Sequence, residues 1–230
     1  MSAQEGWEQV LAAAARLQRL LPDATLVGGT AAAAHAAHRI SFDDDHVLTD
    51  LRERFDEILD HLERSDGWLT ARVNRPVLIL GSLDGVETGI RQLIRIRPLE
   101  VEEISTPAGR LRVPTLEEMV RVKAWLVLRR NATRDYLDTV ALADRLGVDA
   151  AARVALGLDA FYEDQVGAGG RRIATQLAKQ LAGPAPYDLS DVDLPTYRSL
   201  APRWQAWANV EAACAEIAHR MLDALAKSAS

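Results

Sequence analysis

The chain has 230 residues, of which 48% are hydrophobic and 26% are charged, and its formal net charge is −6. This composition excludes a disordered chain and supplies apolar surface for one large core or two modest domains, while the acidic balance argues against indiscriminate nucleic-acid binding. A single cysteine excludes an internal disulfide, and no apolar run nears the roughly 20 residues of a membrane span, so we expect a cytoplasmic protein without a membrane partner.

The first predicted elements are a helix and a short strand that ends in two glycines. Apolar residues recur at helical spacing over residues 5–21, and ATLVGG, residues 24–29, has the pattern of a buried strand. Small residues from Thr30 onward favour a second helix. The free amides at its start, approached through glycines, predict a site for a bulky anion such as a phosphate. A Gly-Gly pair by itself is more often a tight turn.

Three consecutive aspartates follow in RISFDDDHV, residues 39–47. Period-two alternation predicts a strand in which Asp43 and Asp45 share one face and Asp44 lies on the other, so Asp44→Ala is expected to be nearly silent. Two carboxylates at this spacing can hold one hard divalent cation through their oxygens. The alternative is a solvated strand end, because acidic residues continue beyond the strand.

The remaining segments change character about halfway along the chain. A predicted helix over residues 51–64 precedes five strand-like segments: WLTARVN, VLILGSL, VETGIRQLIRI, EVEEIST and GRLRVP. After Pro114 the strand signals stop, and TLEE has the spacing of a helix capping box. Helices are expected over residues 116–130, 133–146, 150–182 and 198–227. The prediction is an α+β fold, with a mixed sheet and flanking helices over 1–114 and an all-helical domain over 115–230.

Two separated motifs carry a resemblance to a known family. The first is Gly-Gly-Thr, a spacer and Arg-x-Ser-x-Asp-x-Asp, formed by Gly28, Gly29, Thr30, Arg39, Ser41, Asp43 and Asp45. The second lies in KAWLVLRRNATRDYLDTVAL and comprises Lys123, Arg130, Arg134, Asp135 and Asp138. In this order the motifs resemble the AbiEii-type nucleotidyltransferases, the toxin component of AbiE-like bacterial toxin–antitoxin systems. The resemblance covers about residues 24–146.

The resemblance implies a nucleotidyltransferase-like N-terminal domain and an enzyme that transfers a nucleoside monophosphate from a nucleoside triphosphate to an acceptor hydroxyl. It implies catalytic roles for Asp43, Asp45, Lys123 and Asp138. Asp43 and Asp45 would hold Mg²⁺, with Mn²⁺ as an alternative, because carboxylate oxygens suit hard cations. The implied nucleotide-binding residues are Gly28, Gly29, Thr30, Arg39, Ser41, Arg134 and Asp135.

Several assignments stay open at this stage. Lys123 could be a solvated helix residue, and Asp135 fits an ion-pair network that docks the helical domain as well as it fits catalysis. Related enzymes carry a third carboxylate on a later strand, where this chain offers Glu87 followed by Arg91 and Gln92, so the general base is unassigned. His35 and His38 are three apart on the predicted second helix, but without cysteine partners or a His-Glu-x-x-His pattern they are only a weak zinc signal.

The acceptor is inferred from charge and resemblance together. Residues 110–134 hold seven basic residues against two acidic ones, a local positive surface that an RNA end could approach. Some relatives modify the 3′ end of tRNA, which implies an RNA acceptor, a toxin role and a cognate antitoxin partner. The alternatives are a small-molecule nucleotidyltransferase of the antibiotic-modifying type and a catalytically inactive binding protein.

Overall fold

The computed structural model describes residues 3–165 and 172–228, and the chain divides into two compact units. The first unit comprises Met1–Ala34 and Ile40–Thr115, and the second comprises His35–Arg39 and Leu116–Ser230. The first is a mixed α/β unit and the second is helical, which confirms the predicted fold class. Residues 35–39 group with the helical unit, a feature that a single division at residue 114 does not include.

A five-stranded sheet in the order β1-β2-β5-β4-β3 forms the centre of the first unit. Strands β2 and β5 run parallel, and the other neighbours are antiparallel, so the sheet is mixed. In the β2–β5 register, Asp45 lies opposite Gly89. The strands are β1 (Thr25–Leu26), β2 (Asp44–Leu48), β3 (Trp68–Asn74), β4 (Leu78–Leu83) and β5 (Val86–Gln92).

Three helices and a hairpin complete this unit. The helices are α1 (Ala3–Leu20), α2 (Gly28–Ala36) and α3 (Phe55–Glu63), and the hairpin pairs β6 (Val101–Thr106) with β7 (Gly109–Pro114). The apolar faces of α1 and α3 pack on the sheet, and this burial of apolar surface stabilises the unit. The core comprises Leu17, Leu21, Ala24, Leu48, Leu51, Phe55, Ile58, Leu59, Leu62, Trp68, Ile79, Leu83 and Ile90.

The described part of the second unit consists of helices, with a longer segment of 3₁₀ turns and loops between the last two. The helices are α4 (Leu116–Arg130), α5 (Thr133–Leu146), α6 (Val148–Leu156), α7 (Leu158–Phe161), α8 (Ile173–Ala182) and α9 (Trp207–Ser228). No helix in residues 3–165 and 172–228 is long and apolar enough to cross a membrane. Cys214 is buried in α9, as its isolated position in an apolar helix predicts.

Two helix predictions in this unit were wrong. The helix expected over residues 150–182 ends at Leu156, and Gly157 separates it from α7, because glycine weakens a helix interior. The part of that prediction over 166–171 lies outside the described residues. The last helix begins at Trp207 and not at 198, because Pro202 opens a separate 3₁₀ turn.

The aspartate strand also differs from its prediction. Strand β2 begins at Asp44, five residues later than expected, and its inward face consists of Asp44, His46 and Leu48. Asp44 and Asp45 do point to opposite faces of β2, as predicted, but the face that carries Asp44 is the buried one. A change at a fully buried carboxylate beside His46 alters the core, so we correct the expectation that Asp44→Ala is silent.

Candidate active site

Gly28 opens helix α2 beside the carboxylate of Asp45. Its φ of +71° is one that side chains other than glycine rarely adopt, and an added Cβ would lie 3.0 Å from Asp45 Oδ2. The Val27 amide donates to the Asp45 carbonyl at 2.8 Å and so fixes the chain just before the helix. Gly28 and Gly29 are partly exposed. The nine-residue helix therefore presents its N-terminal amides next to Asp45, with α2 starting two residues before the predicted Thr30.

Gly89 on β5 encloses the same carboxylate from the other side. A Cβ on Gly89 would lie 2.8 Å from Asp45 Oδ1, closer than real side chains approach. Gly89 was not among the predicted site residues, because the register that brings β5 beside β2 has no local signal in the sequence. The carboxylate of Asp45 thus lies between two glycines, and a Cβ at either position would crowd it.

Thr30 supports Asp43 from within the unit. The fully buried Thr30 hydroxyl donates to the Asp43 carbonyl at 2.6 Å, and the Asp43 side chain is partly exposed. This contact corrects the expected direct contact of Thr30 with phosphate, because the hydroxyl is buried and already donates its proton. Ser41 is also buried. Both residues suit a role in shaping the segment before β2.

The donor set of the first unit fits a Mg²⁺ ion that is shared with a ligand. Asp43 and Asp45 are two partly exposed carboxylates, and Mg²⁺ is usually held by one or two carboxylates, with phosphates and water completing its shell. Within the described ranges, no group of three or more His, Cys, Asp or Glu side chains could hold a metal ion. The pair therefore suits a site completed by substrate oxygens.

Arg91 occupies the part of β5 where a third carboxylate was sought. Alternation along β5 puts Glu87, Gly89 and Arg91 on one face, and Gly89 lies opposite Asp45. The Arg91 Nε lies 3.5 Å from Asp45 Oδ1, and about half of the Arg91 side chain is exposed. Arg91 thus places a half-exposed guanidinium next to Asp45, and a ligand could displace or recruit it.

The second unit contains a buried cluster centred on Asp138 of α5. Arg39 donates from Nε to Oδ1 at 2.7 Å and from Nη2 to Oδ2 at 3.0 Å. Lys123 Nζ lies 2.7 Å from Oδ2, and His38 Nε2 lies 2.7 Å from Oδ1. Burial alone would raise the pKa of Asp138, but the charges of Arg39 and Lys123 and the hydrogen bonds from His38 and Arg39 outweigh it. The pKa of Asp138 is therefore held well below its usual value.

This environment suits a positioning role for Asp138. A carboxylate that is fully buried and already accepts three donors is poorly placed to take a proton from a substrate. It instead holds two permanent cations, Arg39 and Lys123, at fixed positions. The motifs predicted Arg39, Lys123 and Asp138 as separate site residues, whereas His38 was only part of a weak zinc signal.

Asp135 and Arg134 have different surroundings on the same helix. The buried carboxylate of Asp135 binds Arg130 through both oxygens, with Nε to Oδ2 at 3.0 Å and Nη2 to Oδ1 at 2.6 Å. This pair joins the end of α4 to the start of α5, so a direct nucleotide contact by Asp135 is not supported. Arg134 is exposed and available to a ligand.

The basic segment over residues 110–134 is largely neutralised by carboxylates. Four of its seven basic residues have acidic partners, through the pairs Arg110–Glu103, Arg121–Glu118, Lys123–Asp138 and Arg130–Asp135. The sequence predicted a local positive surface for this segment. Ion pairing of its members reduces the charge available to a polyanion.

Comparison with known proteins gives partial similarities. No family model matches the chain. The heme uptake protein MmpL11 of Mycobacterium tuberculosis is 38% identical over 132 residues, which are 56% of this chain and 13% of that protein. The mycolic acid-containing lipids exporter MmpL11 of Mycolicibacterium smegmatis is 33% identical over 127 residues, or 55% and 13% of the two chains. The match thus spans about an eighth of these relatives.

Solved structures whose folds are weakly similar to this chain include an antibiotic-resistance factor and nucleotidyltransferase-like proteins. The antibiotic-resistance factor ANT(2'')-Ia has a TM-score of 0.49 and 13% identity, covering 69% of this chain and 93% of its own. A nucleotidyltransferase-like protein from Paracoccidioides brasiliensis has a TM-score of 0.48 and 15% identity over 70% and 90% of the chains. A candidate nucleotidyltransferase from H. pylori has a TM-score of 0.47 and 14% identity over 99% and 98%. Likenesses at this level do not define an activity.

Proposed function

We propose that this chain is a nucleotidyltransferase, which transfers a nucleoside monophosphate from a nucleoside triphosphate to an acceptor hydroxyl with release of pyrophosphate. The observation that carries the proposal is the carboxylate of Asp45, enclosed by Gly28 at the N-terminus of α2 and by Gly89 on the parallel strand. Helix amides that bind phosphate lie beside a carboxylate that binds the counter-cation of that phosphate. A solvated acidic strand end needs neither glycine.

In this proposal Asp43 and Asp45 hold Mg²⁺, or Mn²⁺, which would neutralise charge on the transferring phosphate oxygens. The amides of Gly28 and Gly29 bind phosphate oxygens, and the buried Thr30 hydroxyl keeps Asp43 in place. The motif resemblance implies that Lys123 and Arg39 supply positive charge for the developing pyrophosphate and that Arg134 contacts the nucleotide. Within the second unit, Asp138 orients Lys123 and Arg39.

For the acceptor we propose an RNA 3′ end, such as that of tRNA, with a role as the toxin of a toxin–antitoxin pair and an antitoxin partner. This part rests on the motif resemblance, and the ion pairing of the basic segment over 110–134 weakens its electrostatic support. Because the similarity to MmpL11 covers 13% of that protein, we propose no transport or heme role for this chain.

A nucleotide-binding protein without transfer activity is the second candidate. The contact between Arg91 and Asp45 favours it, because a guanidinium 3.5 Å from the carboxylate competes with a metal ion. The described residues also offer no third acidic side chain that completes a metal-binding group. In this alternative, Asp45 and Arg91 would form a surface ion pair beside a phosphate site.

The deciding experiment incubates the protein with each labelled nucleoside triphosphate, Mg²⁺ and total tRNA, with parallel reactions that omit tRNA or replace it by an aminoglycoside. We expect label in RNA, and loss of transfer in Asp45→Asn. The matched control is Asp60→Asn, which removes an exposed carboxylate of α3 in the same unit. Label in the aminoglycoside would identify the small-molecule alternative.

Two further outcomes bear on the proposal. Nucleotide binding without transfer to any acceptor would support the inactive alternative. Equal transfer by Asp45→Asn and Asp60→Asn would show that the enclosed carboxylate has no part in the reaction, and the proposal would then fail.

A further inference from the structure

A chain of buried polar side chains lies under strand β2, on the face opposite Asp45. Asp44 and His46 point inward from β2 and are fully buried, and Gln18 of α1 approaches His46. Interiors favour apolar residues at such positions, because a buried polar group without partners is costly. Apolar packing alone therefore does not explain why these three positions carry polar residues.

The amide of Gln18 has a single orientation. Its Nε2 donates to the carbonyl of Arg112 on β7 at 2.8 Å, and its Oε1 accepts from the Arg112 amide at 2.8 Å. Because a carbonyl only accepts and an amide N–H only donates, exchanging the nitrogen and oxygen of Gln18 would lose both bonds. The backbone of β7 thereby determines which end of the Gln18 side chain faces His46.

That orientation determines the tautomer of His46. Gln18 Nε2 lies 3.3 Å from His46 Nε2, and an amide nitrogen can only donate, so His46 Nε2 accepts and carries no proton. The proton of a neutral His46 must then reside on Nδ1. Nδ1 lies 3.2 Å from Asp44 Oδ1. This contact has the length of an ion pair but not the direction of a hydrogen bond, so it is mainly electrostatic.

No other side chain described beside Asp44 replaces this interaction. Neither Asp44 oxygen has a hydrogen-bond donor among the described residues. Thr88, which lies opposite Asp44 in the β2–β5 register, donates its hydroxyl to the Val86 carbonyl at 3.0 Å. The Nδ1–H of His46 is thus the favourable dipole nearest to the Asp44 carboxylate.

We propose that Gln18 is a positioning residue of the active site. It holds His46 as the Nδ1–H tautomer, and this tautomer fixes Asp44 and the start of β2, the strand that begins directly after Asp43 and presents Asp45. The effect of this role on an active site rests on the proposed function, whereas the tautomer of His46 is independent of it. In the opposite tautomer Nδ1 would carry no proton, and the partial positive charge of the N–H group beside the Asp44 carboxylate would be lost.

The test combines histidine spectra with metal binding. Long-range proton–nitrogen NMR of the ¹⁵N-histidine-labelled full chain should show His46 protonated at Nδ1 and unprotonated at Nε2. Gln18→Glu keeps the size of the side chain but presents only acceptors, so it should place a proton on His46 Nε2. Titration with Mg²⁺ alone should then show an affinity about 10-fold weaker than that of the unsubstituted chain.

Two further variants separate positioning from general stability. Gln18→Met replaces the amide donor by an apolar side chain of similar length, and it should also weaken Mg²⁺ binding. It serves as the test variant if Gln18→Glu does not fold. Leu20→Ala on the same helix removes a partly buried core contact without touching the polar chain, and it should leave both the tautomer and the Mg²⁺ affinity unchanged.

The outcomes distinguish this inference from the proposed function. A proton on His46 Nε2 in the unsubstituted chain overturns the inference and leaves the proposed function intact. An Nδ1–H tautomer with equal Mg²⁺ affinity in the Gln18 variants and Leu20→Ala overturns the positioning role. An Nδ1–H tautomer in a chain that binds no Mg²⁺ overturns the metal step of the proposed function, and the positioning role with it.

Discussion

Replacing Gly89 by alanine tests the enclosure of Asp45 most directly. The added Cβ would lie 2.8 Å from Asp45 Oδ1 and 3.2 Å from a methyl carbon of Leu80, so the carboxylate must move away from β5. Overpacking of this kind costs about 1–3 kcal/mol. Alanine in a strand regains about 0.5–1 kcal/mol over glycine, so the net loss of stability is at most about 2.5 kcal/mol. Displacement of a reacting group by about 1 Å can reduce the rate about 100-fold.

The assay is labelled nucleotide transfer beside thermal unfolding, and the matched control is Gly81→Ala. A Cβ on Gly81 would meet the Leu69 carbonyl and the Trp68 ring at 2.6 Å, so this variant overpacks the same sheet without contacting Asp45. We expect both variants to lose stability and only Gly89→Ala to lose transfer when both are folded. Full transfer by Gly89→Ala would refute the reasoning, because Asp45 would then need no enclosure.

Three further predictions follow from the buried groups and from Arg91. Asp138→Asn leaves Arg39 and Lys123 buried without their carboxylate and should cost about 3–5 kcal/mol in denaturant unfolding. Because the folded pKa of Asp138 is depressed, its stabilisation is complete above an unfolded pKa of about 3.9 and is lost as the pH falls below it. Unfolding of Asp138→Asn should therefore depend less on pH in acid, and an identical acid limb would contradict this. Arg91→Ala removes a competing cation and should raise Mg²⁺ affinity, by at most about five-fold for an exposed pair, in calorimetric titration; weaker binding would show that Arg91 assists the site. Burial raises the pKa of Cys214 to about 12, so thiol reagents at pH 8 should modify it only after unfolding, and rapid reaction of the folded chain would contradict its burial.

Local patterns were sufficient for most elements of the first unit. Alternation and turn residues predicted β3 and β7 with the bounds that the structure has, and they predicted β4 and β6 to within one residue. Helical spacing predicted α4 and α5 at their observed bounds. These signals work because a strand or a helix repeats its environment every few residues, so the pattern is contained in the segment itself.

In each unit, the contacts around the candidate site residues come from distant parts of the chain. Asp138 meets His38 and Arg39 across about 100 positions, and Gly89 meets Asp45 through the β2–β5 register. Hydropathy could not identify the inward face of β2, because Asp44 on one face and Asp45 on the other are both aspartates. Pairings between segments depend on tertiary packing, which a single sequence does not display.

Asp138 and Asp135 differ in the number of cations that share one carboxylate. Asp135 binds one guanidinium, that of Arg130, which is partly exposed. Asp138 binds both Arg39 and Lys123 at buried positions, so its carboxylate holds two cations at once. Because a buried cation is costly without its carboxylate, the loss of Asp138 affects two buried groups, whereas the loss of Asp135 affects one partly exposed group.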